Sequence, residues 1–240
     1  MKKKIRIVVF VIALLVFLVS LYNVVRYYYF ANQLKTQNNE LITKAVTPGE
    51  IAPISVDFDV LNEENEDIIA WIYQENTLIN YPILQSEDNS YYLRRLINGK
   101  YNIAGSIFMD YRNSPDFSDK NTIIYGHNMN NDSMFASVEY YKKQEYYDAH
   151  KTAYIITPEK AFKVHFVSGY VAKASGDQFS TFKDDGDFGK YMEEALSKST
   201  FKADYEYKKG DRIVTLSTCV YDFRNARYVL LGVLEEISKN

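Results

Sequence analysis

RIVTLSTCVYDFRNARYVLLGVL, residues 212–234, decides the fold. Two runs of β-branched and aliphatic residues, RIVTLSTC and ARYVLLGVL, flank a short polar turn, the pattern of an antiparallel hairpin. Side chains alternate across a strand, so Ile213, Thr215, Ser217 and Cys219 share one face, and Val214, Leu216 and Thr218 share the other. On the returning strand Arg227, Val229, Leu231 and Val233 share a face, which can bring the Arg227 guanidinium back beside the Cys219 sulfur. Cys219 is the sole cysteine in 240 residues. It lies at a strand end, beside a loop, on a face that already carries two hydroxyls, a poor setting for a cysteine that serves only as a small hydrophobe.

Working outward, similar short segments recur upstream: TLINYPILQ (77–85), GSIFMD (105–110), NTIIYG (121–126), AYIIT (153–157) and FKVHFVSGYVAK (162–173). Seven or eight strands in about 160 residues predict a barrel or sandwich, a mainly β domain with peripheral helices. The helices fall at Phe58–Tyr73, where one or two short helices lead into a strand, at 134–147 (MFASVEYYKKQEYY), and at 187–199 (DFGKYMEEALSKS). The last places Phe188, Tyr191, Met192 and Leu196 on one side, with Asp184, Asp185 and Asp187 at its start.

The amino terminus reads differently. MKKKIR is basic, and Ile7 to Val25 is 19 residues without a charge, nearly enough at 1.5 Å per residue to cross a hydrocarbon core of roughly 30 Å. The basic flank places residues 1–6 in the cytoplasm, 7–25 in the membrane as a signal anchor and the rest outside, with YYYF (27–30) at the far interface. A cleaved signal peptide is the alternative. Residues 26–54 then form a helical or flexible stalk ending near the breakers Pro48, Gly49 and Pro53, and 55–240 the folded domain.

Five of the 28 basic residues lie in the first 26 positions, which hold no acid, so the remainder has 23 basic against 31 acidic residues and a formal charge of −8. Nucleic acid is an unsuitable partner for such a domain. The acids Glu63, Glu64, Glu66 and Asp67 lack EF-hand spacing and read as a solvated face. No metal-ligand spacing is visible, and no metal or cofactor is expected.

A nucleophilic thiol requires a base. His165 lies within a strand and reads as structural, and His150 ends a charged helix. His127, in YGHNMNN, follows a glycine at a strand end and is the candidate partner of Cys219. Arg227 is the candidate for the negative charge that develops on a carbonyl oxygen under attack, whereas Arg224 lies in the exposed turn.

TLSTC followed eight residues later by Arg227, with IYGHNM upstream and a basic single-pass start, resembles a sortase. The long helix-bearing connection before RIVTLSTC makes it similar to class B. The resemblance runs from about Trp71 through NYPILQ, AGSIFMDYRN and NTIIYGHNM to the end. It implies a closed eight-stranded β-barrel with N-terminal helices outside a Gram-positive membrane. It also implies a transpeptidase that cuts a C-terminal sorting motif, NPxTN-like or PxTG-like, after threonine. Its partners would be surface proteins bearing such signals and an amine of peptidoglycan or its lipid-linked precursor. Cys219 would form the thioacyl enzyme, His127 act as acid and base, Arg227 steady the oxyanion or substrate, and Ser217 line the motif groove. Some class B members carry an acid two residues after the cysteine; here that place is Tyr221 and the acid is Asp222, so no carboxylate is assigned to orient His127. The competing expectations are a membrane-tethered cysteine hydrolase and a non-catalytic assembly module with an inert cysteine.

Overall fold

The computed structural model describes residues 2–174, 182 and 184–237. Helix α1 (Lys2–Ala45) runs unbroken from the basic start. Its outer half is exposed throughout, with a mean hydropathy of 2.8 over its most apolar window, and is long and apolar enough to cross a membrane. Its inner half turns apolar on one side only: Leu34, Leu41 and Ala45 are buried at helical spacing. Polar clasps fix this half to the barrel, from Asn102 Nδ2 to the Phe30 carbonyl at 2.9 Å and from Asn38 Nδ2 to the Asn80 carbonyl at 3.0 Å. A two-stranded ribbon follows, β1 (Val46–Pro48) against β2 (Ile54–Val56). Helix α2 (Phe58–Glu64) is capped by the Asp57 carboxylate, which accepts from the Asp59 and Val60 amides.

Eight strands then close a barrel: β3 (Ile68–Tyr73), β4 (Asn80–Leu84), β5 (Ile107–Met109), β6 (Asn121–Tyr125), β7 (Thr152–Ile156), β8 (Ala161–Lys173), β9 (Ile213–Val220) and β10 (Ala226–Ile237). Around the barrel the order is β10, β8, β7, β3, β4, β5, β6, β9. Most neighbours are antiparallel, but β4 with β5 and β6 with β9 run parallel. Closure leaves no barrel strand with an open edge.

Alternation along the strands sorts the core into layers. Ile72, Ile83, Met109, Ile124, Phe166, Leu216 and Leu230 belong to the cluster that fills the barrel. Trp71, Leu84 and Phe108 lie outside it, under α2 and the inner end of α1. On the opposite flank Ile213, Val229, Leu231 and Val233 are covered by Phe188, Met192 and Ala195 of α4 (Asp185–Ser197). The expected stripe of α4 shifts here, since Leu196 is exposed and Ala195 takes the inward position. Asp184 caps this helix through the Asp187 amide at 2.9 Å.

The single helix expected over 134–147 divides into a 3-10 helix (Ala136–Lys142) and α3 (Gln144–Ala149). Lys143 between them is extended (φ −115°, ψ 131°). The break lets two tyrosines enter the core, Tyr141 against Phe166 and Tyr147 stacked on Phe201 at 4.4 Å.

Candidate active site

Parallel pairing of β6 with β9 places the C-terminal ends of both strands together, with Tyr125 beside Ser217. The ladder ends with the Gly126 amide donating to the Ser217 carbonyl at 3.1 Å. One residue later the chain leaves the sheet, and His127 is free to turn its ring into the space above. From the other side the β9 to β10 hairpin sets Arg227 directly opposite Cys219. The Arg227 Nη1 donates to the Cys219 sulfur.

Cys219, His127, Arg227 and Ser217 therefore meet on one groove of about 250 Å³, whose remaining walls are Asn89, Leu93, Phe108, Tyr125 and Gly126. Cys219 is partly exposed, in contrast to Ser217 and Thr218 just before it. A thiol that served only as packing would be sealed.

His127 Nε2 lies 2.8 Å from the Leu93 carbonyl oxygen. A carbonyl only accepts, so Nε2 carries a hydrogen and Nδ1 is the nitrogen left to exchange protons. Burial holds the His127 imidazole below the usual histidine value; the charges of Arg94 and Arg227 push the same way, and the Leu93 carbonyl, which favours the protonated ring, opposes them. Leu93 lies in a single 3-10 turn (Tyr92–Arg94), pinned by the Ser106 amide on the Tyr92 carbonyl at 3.0 Å.

Beneath the groove floor lies Asp110, fully buried. Its carboxylate accepts from Arg112 Nε and Nη2, both at 2.9 Å, from the Tyr125 hydroxyl at 2.9 Å and from Asn89 Nδ2 at 3.0 Å. Burial raises its pKa, but these donors and the Arg112 amide outweigh burial and hold the carboxyl below the usual range. Tyr125 is pushed the other way by burial and by the Asp110 charge, so its hydroxyl stays protonated and donating.

The other residues weighed from sequence lie elsewhere. His165 bonds Glu235 at 2.6 Å and stacks on Tyr205, His150 ends α3, and Arg224 is exposed in the turn. Asp222 pairs with Lys142 rather than with His127. Among the described residues no group of three His, Cys, Asp or Glu is placed to hold a metal ion. Leu93, Asn89, Tyr125 and Asp110 were not singled out from sequence; only the polar clustering of QSEDNSYYLRR (85–95) could have pointed to a groove wall.

Residues 72–235 match the sortase domain family. The chain belongs to the sortase family. Sortase B of Listeria monocytogenes is 36% identical over 200 residues, 80% of this chain and 81% of that protein. A structure of sortase B from Bacillus anthracis superposes with a TM-score of 0.76 at 33% identity, covering 90% of this chain and 99% of that one. Sortase B of Staphylococcus aureus superposes with a TM-score of 0.75 at 30% identity, covering 88% and 100%. This sortase is thus of class B and a cysteine transpeptidase acting on surface proteins. The expectation of a non-catalytic module is overturned.

Proposed function

We propose that Cys219 is the nucleophile of this sortase. As its thiol passes its proton to His127 Nδ1, the sulfur attacks the threonine carbonyl carbon of a C-terminal sorting motif. The tetrahedral oxyanion collapses with loss of the carbon to nitrogen bond, and the departing amine takes its proton from His127. The resulting thioester is then attacked by an acceptor amine, which gives a proton to His127 as the carbon to sulfur bond breaks. Arg227 supplies donors to the oxyanion or to the substrate backbone, and Ser217 forms part of the motif wall. The observation that carries this reading is the pairing of Arg227 with Cys219 across the hairpin, on a groove shared with His127. The motif is NPxTN-like or PxTG-like, and the acceptor is an amine of peptidoglycan or of its lipid-linked precursor.

The same reading gives residues 1–6 to the cytoplasm, 7–25 to the membrane and 55–240 to an extracellular catalytic domain, with 26–54 between them. The basic flank and the fully exposed apolar half of α1 support that orientation.

The test is incubation of the full chain in detergent with peptides bearing NPxTN, LPxTG or SPxTG motifs, with and without an amine acceptor, followed by mass spectrometry. A thioester on Cys219, cleavage after threonine and ligation to the added amine are expected. A folded protein that forms no adduct with any motif would overturn the reading, and acid release without ligation would make it a hydrolase.

A further inference from the structure

Cys219 lies on β9 and His127 just past the end of β6, and their spacing has to be held by something. The parallel β6 to β9 ladder cannot do it, because its last main-chain rung joins Gly126 to Ser217, before His127 and before Cys219. The next rung is made by a side chain. Asn128, immediately after His127, donates from Nδ2 to the main-chain carbonyl of Cys219 at 3.0 Å. The same nitrogen donates to Glu139 Oε2 at 2.7 Å. A carboxamide nitrogen has two hydrogens, so both are used and the amide has one orientation.

The bonds continue outward. Lys142 Nζ bridges Glu139 Oε1 at 2.8 Å and Asp222 Oδ2 at 2.6 Å, and Asp222 lies in the turn that joins β9 to β10. The loop after His127 is thus clasped to the cysteine's own carbonyl and to the turn that returns toward Arg227. This loop is held at its base as well, by the Phe135 amide on the His127 carbonyl at 2.9 Å.

We infer that Asn128, oriented by Glu139 and Lys142, is a positioning residue that sets the approach of His127 to Cys219. The inference rests on the proposed roles of those two residues. Reacting groups displaced by about 1 Å can lose on the order of a hundredfold in rate, so a side-chain rung at this point is a direct lever on kcat. Neither Asn128 nor Glu139 lines the groove, so binding of the motif peptide should change little.

The test compares N128A, N128D, E139A and E139Q with the wild type as full chains in detergent, reading the kcat and KM of acyl-enzyme formation on the motif peptide together with Tm. N128D keeps the volume of asparagine but cannot donate to the Cys219 carbonyl. It and N128A should lower kcat at least tenfold, with KM within about twofold. E139A should lower kcat less, and E139Q, whose oxygen can still accept from Asn128, should recover most of that loss. Wild-type-like kcat in N128D, or losses confined to KM or explained by the unfolded fraction, would overturn the inference. If both Asn128 variants fail to fold, the glutamate pair decides, and equal kcat in E139A and E139Q would overturn it. Failure of the wild type itself to form a thioester would instead count against the proposed function.

Discussion

His127 donates its Nε2 hydrogen to the Leu93 carbonyl across 2.8 Å, a contact between residues 34 positions apart. It fixes the tautomer before any substrate arrives, leaving Nδ1 as the nitrogen without a hydrogen. Because burial and two arginines hold the ring below the usual histidine range, the neutral form prevails at neutral pH.

The first prediction is therefore spectroscopic and thermodynamic. Nitrogen NMR of the C219A protein at pH 7 should show His127 neutral with its hydrogen on Nε2, and a titration midpoint below about 6.5. The unfolded chain, with the higher pKa, binds the proton first as pH falls, so the stability linked to this ring is present above about pH 6.5 and is lost on descent through the folded value. H127Q should lose less stability than the wild type between pH 7 and pH 5. A midpoint above 6.5 would contradict the electrostatic account.

Arg227 supports the second prediction. Its guanidinium lies on the sulfur where an attacked carbonyl would develop charge, and loss of one such donor costs on the order of a hundred- to a thousandfold in kcat. R227A should fall in that range. R227K keeps the charge but not the planar fork and should recover only part of it. Recovery to wild-type rates by lysine would show that charge alone matters.

The hairpin was readable because a period of two is a local signal. TLSTC and ARYVLL each declare their faces, and the offset of eight between Cys219 and Arg227 becomes a cross-strand pair once the turn is recognised. The barrel's parallel pairings were not readable. β5 has only three residues, and its partners β4 and β6 are joined to it by loops whose order no periodicity encodes. The groove walls were hidden for the same reason. Leu93 acts through a main-chain carbonyl, which carries no residue signature, and Asp110 in FMDYRN looks like an ordinary turn acid until Arg112, Tyr125 and Asn89 converge on it. The expected helix over 134–147 failed at Lys143 because the placement of Tyr141 and Tyr147 in the core overrides helical propensity.

Asp110 yields the third prediction. Removing one partner of a buried ion pair costs about 3–5 kcal/mol. D110A should reach that range, and D110N, which keeps the shape but not the charge, should fall short of it. The sign with pH follows from the depressed carboxyl: its stabilisation is present above the unfolded value near 3.9 and is lost as pH falls through the folded one. Acid unfolding of D110N, followed by circular dichroism, should therefore show a shallower loss than that of the wild type below about pH 4. Since Asn89 and Tyr125 line the groove and both donate to this carboxylate, KM for the motif peptide should rise in the folded fraction of either variant.

The fourth prediction concerns two glycines with opposite surroundings. A Cβ at Gly126 would stand 2.6 Å from Ile107 Cδ1 and from the Phe135 ring, whereas one at Gly189 in α4 would meet nothing within 4 Å. G126A must therefore displace either the barrel wall or the residue that follows it, His127. Overpacking of this kind costs about 1–3 kcal/mol, a fall in Tm of roughly 2–12 °C for a domain of this size. G189A relieves the backbone entropy of a helical glycine and should gain about 0.5–1 kcal/mol. The two also differ in kinetics, since G189A should leave kcat unchanged while G126A lowers it beyond what the unfolded fraction explains. A G126A protein with normal kcat per folded molecule would mean that the strain is taken up by Phe135 and Ile107, and that His127 is held in place by Leu93 and Asn128 more firmly than by the strand it leaves.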